Sequence, residues 1–139
     1  MLIRPFHLAF SVDNLEKAAS FYIDVLGCKA GRSDKSWIDF NLYGHQIVAH
    51  LDKKKVKQRI SRVDNKSVPK HHFGVILRWS DWETLVRKIK KEKIPFLIEP
   101  YIRFKDQPGE QGTFFIYDPS YNALEFKTFK QDSQIFSIQ

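Results

Sequence analysis

The chain has 139 residues, 23 Lys and Arg against 16 Asp and Glu, a formal net charge of +7, and 42% hydrophobic residues including 12 Phe. That length suits one domain, or two half-size units sharing a core. A single Cys excludes a disulfide framework and makes a reducing cytoplasm the expected setting.

No apolar run approaches the roughly 20 residues that span a bilayer, so no membrane partner is expected. The opening "MLIRPFHLAF" lacks the charged-then-apolar pattern of a secretory signal. Basic residues gather around 53–66 and 87–93. No aromatics interleave the first group, so it offers bases no stacking platform, and nucleic acid is not an expected partner.

In chain order, "FHLAFSV" alternates with the period of a half-buried strand. Phe6, Leu8, Phe10 and Val12 point one way; His7, Ala9 and Ser11 point the other. Asp13 with Glu16 predicts a capping box. Leu15, Ala18, Ala19, Tyr22, Val25 and Leu26 then make a helical stripe, and Gly27 stops it. Cys28, at the helix-to-strand junction, reads as packing. A short edge strand is expected near residues 29–32. A strand over 37–42, a turn at Tyr43–His45 and a strand over 46–51 read as a hairpin. Residues 52–69 are polar and basic, and read as a flexible connector ending at Pro69.

The pattern then repeats. "HHFGVILRW" alternates again, with His72, Gly74, Ile76 and Arg78 on one face. Ser80 with Glu83 predicts a second capping box. Trp82, Leu85, Val86 and Ile89 mark a buried stripe. Pro95 stops that helix, and "PFLIEP" reads as a short strand. A polar loop over 101–112 follows, then strands over 113–117 and 123–127 about an Asp118-Pro119 turn. The expected organisation is one domain over 1–130, with module one at about 3–52, a connector at 53–69, module two at 70–128, and a loose tail at 131–139.

Overlaying the modules puts His7 and His72 on the first strands and His50 and Glu125 on the last. Each points away from the face its helix covers. Imidazole and carboxylate donors suit divalent Fe, Mn, Zn, Ni or Co, and two His with one Glu match the facial triad that leaves positions open for substrate and oxygen. His50 then stands as a fourth ligand or as an acid–base group. In the 101–112 loop, Arg103 suits an anionic substrate group, with Phe104, Gln107 and Gln111 beside it as further substrate contacts.

With "HLAFSVDNLEKAASFYIDVLG", "HFGVIL" and "FIYDPSYNALEF", the chain resembles the vicinal oxygen chelate superfamily of glyoxalases, extradiol dioxygenases and bleomycin-resistance proteins, over nearly all of residues 3–128. The resemblance implies an α+β fold: two tandem βαβββ modules forming an open, barrel-like mixed sheet, with helices outside and a metal cleft inside. It places the metal ligands on His7, His50, His72 and Glu125, and implies a homodimer.

Glyoxalases usually carry a carboxylate where this chain has His50, which favours a dioxygenase. The expected function is therefore a metal-dependent enzyme on a small oxygenated molecule, an extradiol-type dioxygenase using Fe(II). His50 would ligate or shuttle a proton. Zn, Ni, Mn and Co also suit these donors, and zinc, nickel or cobalt would point to the alternative, a glyoxalase-like lyase or isomerase. A non-catalytic small-molecule binding protein is the third reading.

Overall fold

The computed structural model describes residues 3–54, 60–63 and 66–138. They form the expected α+β fold, two units that each build an open mixed sheet and a covering helix. Each unit is described in turn.

In the first unit, β1 (His7–Val12) leads into α1 (Leu15–Ser20) and a π-helical turn over Phe21–Val25. Then come β2 (Lys29–Asp34), β3 (Trp37–Leu42) and β4 (His45–Leu51). The sheet order is β1-β4-β3-β2, with β1 and β4 parallel and the other pairs antiparallel. Tyr43 and Gly44, at φ 49 and 93, make the two-residue turn that a right-twisted hairpin favours. Val12, Tyr22, Phe40, Leu42 and Ile47 fill the core. Tyr22 stacks on Phe40 with ring centroids 5.1 Å apart.

The π turn admits one more ring than the periodicity anticipates. Neighbours in an α-helix point about 100° apart. Here the Leu26 N–H reaches back to the Phe21 carbonyl, 3.1 Å away. The wider turn lets Phe21 and Tyr22 both bury, edge to face at 5.2 Å. Gly27 ends the helix at φ 75, as expected. Cys28 is buried, and burial pushes its thiol up to about 12.

This unit also takes in Asp118–Asn122. The buried Asp118 carboxylate accepts from the Tyr22 hydroxyl at 2.9 Å, the Ser120 and Asn122 N–H groups at 2.8 Å, and Asn122 Nδ2 at 2.7 Å. Burial, and then the Asp118 charge, hold the Tyr22 phenol well above its ordinary pKa. Asn122 Nδ2 also donates to the Ser11 carbonyl. The same turn alters the helix start. Asp13 accepts from the Ser120 hydroxyl, and Asn14 instead caps the helix by accepting from the Lys17 N–H. The capping box expected at Asp13 is therefore replaced by an Asn cap one residue on.

The second unit begins within the connector, and there the expectation is corrected. Residues 52–69 are not all a flexible link: β5 (Ile60–Val63) and β6 (Lys66–Pro69) pair as an antiparallel hairpin. Val68 packs on Ile98 and Phe115, and the Lys66 ammonium lies 4.8 Å over the Tyr101 ring. Val68 sits in a polar, basic stretch that gives little sign of this packing. Residues 55–59 and 64–65 lie outside the described residues.

The expected strand over 71–79 is two short pieces, β7 (His72–Phe73) and β8 (Ile76–Leu77). Both run parallel to β11 (Ala123–Phe129). Between them Gly74 lies so close to β11 that any Cβ would overlap the Glu125 carbonyl. α2 (Trp79–Lys91) follows, starting at Arg78 with no side-chain cap. The expected Ser80–Glu83 box does not form, because Glu83 accepts from Trp79 Nε1 instead. Trp82, Leu85 and Ile89 bury, and Trp82 Nε1 donates to the Phe126 carbonyl. β9 (Phe96–Arg103) runs through Pro100, which an edge strand tolerates. β10 (Gln111–Tyr117) pairs with β9 and β11. The tail forms one exposed 3-10 turn over Asp132–Gln134.

Three substitutions test this account. Gly74→Ala is expected to destabilise by about 3 kcal/mol or more, since backbone cannot yield as a side chain does. Gly27→Ala, where a Cβ meets nothing within 4 Å, should lose only the left-handed strain of about 1–2 kcal/mol. Tyr22→Phe removes one bond to a charged acceptor and should cost about 1.5–3 kcal/mol. Urea unfolding of the three variants reads all of these values.

Candidate functional site

In the second unit, the first and last strands bring His72 and Glu125 together. His72 Nδ1 lies 2.8 Å from the Pro69 carbonyl, and Nε2 lies 3.0 Å from Glu125 Oε2. Both partners accept hydrogen bonds, so both ring nitrogens carry protons in this pair. The hydrogen bond to Glu125 accordingly raises the His72 pKa above its ordinary value, with burial opposing it. Burial pushes Glu125 upward, but the hydrogen bonds from His72 and Thr113 outweigh it, and its pKa falls below the usual range. Thr113 Oγ1 donates to Glu125 Oε1 at 2.7 Å, which fixes the carboxylate's second oxygen. The Phe115 ring meets the imidazole edge-on, with centroids 5.1 Å apart.

The Pro69 carbonyl accepts the hydrogen bond from Nδ1–H whatever happens at Nε2. Once the bridging proton leaves, Nε2 and Oε2 present two lone pairs side by side. Adjacent ligands with bonds of about 2.1 Å at a right angle stand about 3 Å apart. The pair therefore fits a divalent ion as two neighbouring ligands. Within each unit, no three His, Cys, Asp or Glu side chains of the described residues gather into a metal-holding group.

In the first unit, His7 is exposed, and its Nδ1 lies 2.9 Å from Gln46 Oε1. His7 and Gln46 are partners in the parallel ladder. His50 does not join them. It pairs with Ser11, four residues past His7, about 13 Å along the strand. The two ladders also show that His50 is not the counterpart of Glu125. Glu125 stands opposite Gly74, two residues past His72. The matching step in the first unit pairs Ala9 with Val48, a buried apolar residue. The overlay of the repeats was out by two residues there.

The loop residues divide. Arg103 and Gln111 are partners across β9 and β10, on the sheet face that carries Thr113 and Glu125. The Arg103 guanidinium lies 5.1 Å over the Phe104 ring. Gln111 is buried, and its Oε1 has no hydrogen-bond donor among the described residues. Phe104 and Gln107 are exposed in a tight turn in which the Gln107 N–H bonds the Phe104 carbonyl. That turn shortens the expected 101–112 loop to 104–110.

Sequence reasoning did not single out Thr113, Gln46 or Asp39, a buried carboxylate on β3. Thr113 was within reach, because counting outward from the Asp118 turn places it near Glu125. The partners of His7 depend on a parallel register that no local signal encodes. A recess of about 560 Å³ on the first unit, lined by Asp13, Glu16, Asp34 and Lys35, does not involve His7 or Gln46.

A family model described as the glyoxalase/bleomycin resistance protein/dioxygenase superfamily matches residues 4–126. The chain therefore belongs to that superfamily. A glyoxalase/bleomycin resistance protein/dioxygenase from Alicyclobacillus acidocaldarius is similar at 33% identity and TM-score 0.81, over 95% of this chain and 96% of that one. An integron cassette protein from the Halifax Harbour sewage outfall metagenome is 24% identical at TM-score 0.69, over 91% and 99%. The fosfomycin resistance protein FosX from Listeria monocytogenes shares the fold at 15% identity and TM-score 0.68, over 97% and 100%. No helix among the described residues is long and apolar enough to cross a membrane.

The ion pair sets a pH window. His72, with its raised pKa, contributes stability fully below its unfolded value of about 6.5, and loses it as pH rises through the folded pKa. Glu125, with its lowered pKa, contributes fully above about 4.5, and loses it as pH falls through the folded pKa. In chelator-treated protein, the stability difference between wild type and Glu125→Gln should therefore be greatest between about pH 4.5 and 6.5. Denaturation curves across pH measure it, and a flat difference would contradict the ion pair.

Proposed function

We propose that this chain is a metal-dependent enzyme acting on a small oxygenated molecule, as an extradiol-type dioxygenase. The observation that carries the reading is the His72–Glu125 pair, with two donor atoms 3.0 Å apart and the far side of each group tied to Pro69 or Thr113. His7, His72 and Glu125 are taken as the ligands, with Fe(II) the favoured ion. The apolar Val48 at the step matching Glu125 supports a three-ligand set over a four-ligand one. When bound, such an ion would supply Lewis acidity and open positions for substrate and oxygen.

The chain's own residues would do the rest. Thr113 holds the Glu125 carboxylate in one rotamer, and the Pro69 carbonyl holds the His72 ring. Arg103 would receive an anionic substrate group, and the Gln111 amide oxygen a substrate hydroxyl. His50, opposite Ser11 and four residues along the strand from His7, would act as a proton carrier rather than a ligand. A glyoxalase-like lyase or isomerase would use the same donors with Zn, Ni or Co.

Metal analysis after anaerobic purification tests the reading. Near-stoichiometric iron in wild type, at least about 100-fold weaker binding in Glu125→Ala, and oxygen uptake with catechol-like compounds are expected. Zinc, nickel or cobalt without oxygen uptake would replace the dioxygenase by the lyase. No metal in either protein after reconstitution would overturn the metal-dependent reading and leave a small-molecule binding protein.

A further inference from the structure

A carboxylate two strands away from His7 governs which of its ring nitrogens is free. Asp39 lies in the middle of β3, almost fully buried at 8% exposure. Gln46 lies on β4, between His7 on one side and Asp39 on the other. Gln46 Nε2 donates to Asp39 Oδ2 at 3.3 Å, and Gln46 Oε1 faces His7 Nδ1 at 2.9 Å. The exposed Arg32 Nε approaches the same Asp39 oxygen at 4.0 Å, too far for a hydrogen bond, and so leaves it free to accept from Gln46.

An amide has one donor end and one acceptor end. A carboxylate only accepts, so it fixes which end of Gln46 faces it. Turning the amide over would set Gln46 Oε1 against Asp39 Oδ2, acceptor against acceptor. Gln46 must therefore offer its oxygen to His7. His7 Nδ1 can answer only by carrying a proton, which leaves the lone pair on Nε2.

We propose that Asp39 and Gln46 are positioning residues that lock neutral His7 as the Nδ1–H tautomer with Nε2 free for a ligand. The arrangement parallels His72, whose Nδ1 is tied to the Pro69 carbonyl. Main chain does in one unit what a two-residue side-chain relay does in the other. A recess of about 390 Å³ beside the relay is lined by Lys29, Gly31, Asp39, His45 and Gln46. Gly31 leaves that recess open, since a Cβ there would stand 3.0 Å from the Asp39 Cβ. The use of the free nitrogen for a metal rests on the function proposed above. The tautomer itself does not.

The test is nitrogen NMR of the imidazoles in chelator-treated, ¹⁵N-histidine-labelled protein, in mildly alkaline buffer. Wild-type His7 should show the proton on Nδ1, against the preference of free imidazole side chains for Nε2–H. Gln46→Leu should move it to Nε2, Asp39→Ala should give a mixture, and Asp39→Asn, which keeps an acceptor oxygen, should largely restore the wild-type signal. The His72 signals should stay put in all three, since Pro69 and Glu125 are untouched. Zn(II) titration should then show binding weakened roughly 10- to 100-fold in Gln46→Leu. A wild-type His7 protonated on Nε2, or a tautomer unmoved by Gln46→Leu, overturns the relay. If Asp39→Ala does not fold, Gln46→Leu alone decides. If no variant or wild type binds metal, the proposed function fails while the tautomer data still decide the relay.

Discussion

Parallel pairing of the first and last strands decides what stands beside each histidine. In such a ladder, partners share a face, and moving one residue along turns the side chain over. The first unit pairs its strands with His7 opposite Gln46, and the second with His72 opposite Ala123. One step of two residues further on are Val48 and Glu125. A ligand carboxylate exists in one unit, and a packed apolar side chain in the other, because of which residue fills that step. Gly74 makes the second ladder possible, since the strand comes closer to Glu125 than any side chain would permit.

Asp118 plays the comparable role for the first unit. Its carboxylate is buried, yet it accepts four hydrogen bonds, so the cost of desolvation is met by donors at every lone pair. Those donors come from Tyr22 and from the turn itself. Without the turn, the buried Tyr22 hydroxyl would lose its acceptor. Its hold on Asp13 through Ser120 also explains why the helix begins at Asn14 rather than where a capping box would start it.

Much of this was legible in the sequence. Alternation placed the strands, helical stripes placed the helices, and Tyr43-Gly44 marked the hairpin. His72 and Glu125 were legible as a pair because strand parity turns both from the face packed on Trp82. What escaped has a common physical origin. His50 was matched to Glu125 by its place near the end of a strand, but the register of a parallel pair separated by some thirty residues has no local signature. Phe21 escaped because a π turn breaks the helical period. The 60–69 hairpin escaped because Val68, which anchors it, is one residue in a basic run. Asp39 alternates within "WIDFNL" as any solvent-facing charge would, and only the structure shows it buried beside Gln46.

Cys28 closes the helix–strand junction of the first unit, buried, with burial holding its thiol against ionisation. Thiolate is the form that alkylating reagents and oxidants attack. Toward such reagents the folded protein should therefore react far more slowly than a protein with an exposed thiol. One cysteine introduced on the surface, for instance in the exposed 104–110 turn, would then be a unique attachment point for a fluorophore or spin label. The native residue could stay in place, and the packing around it would remain intact.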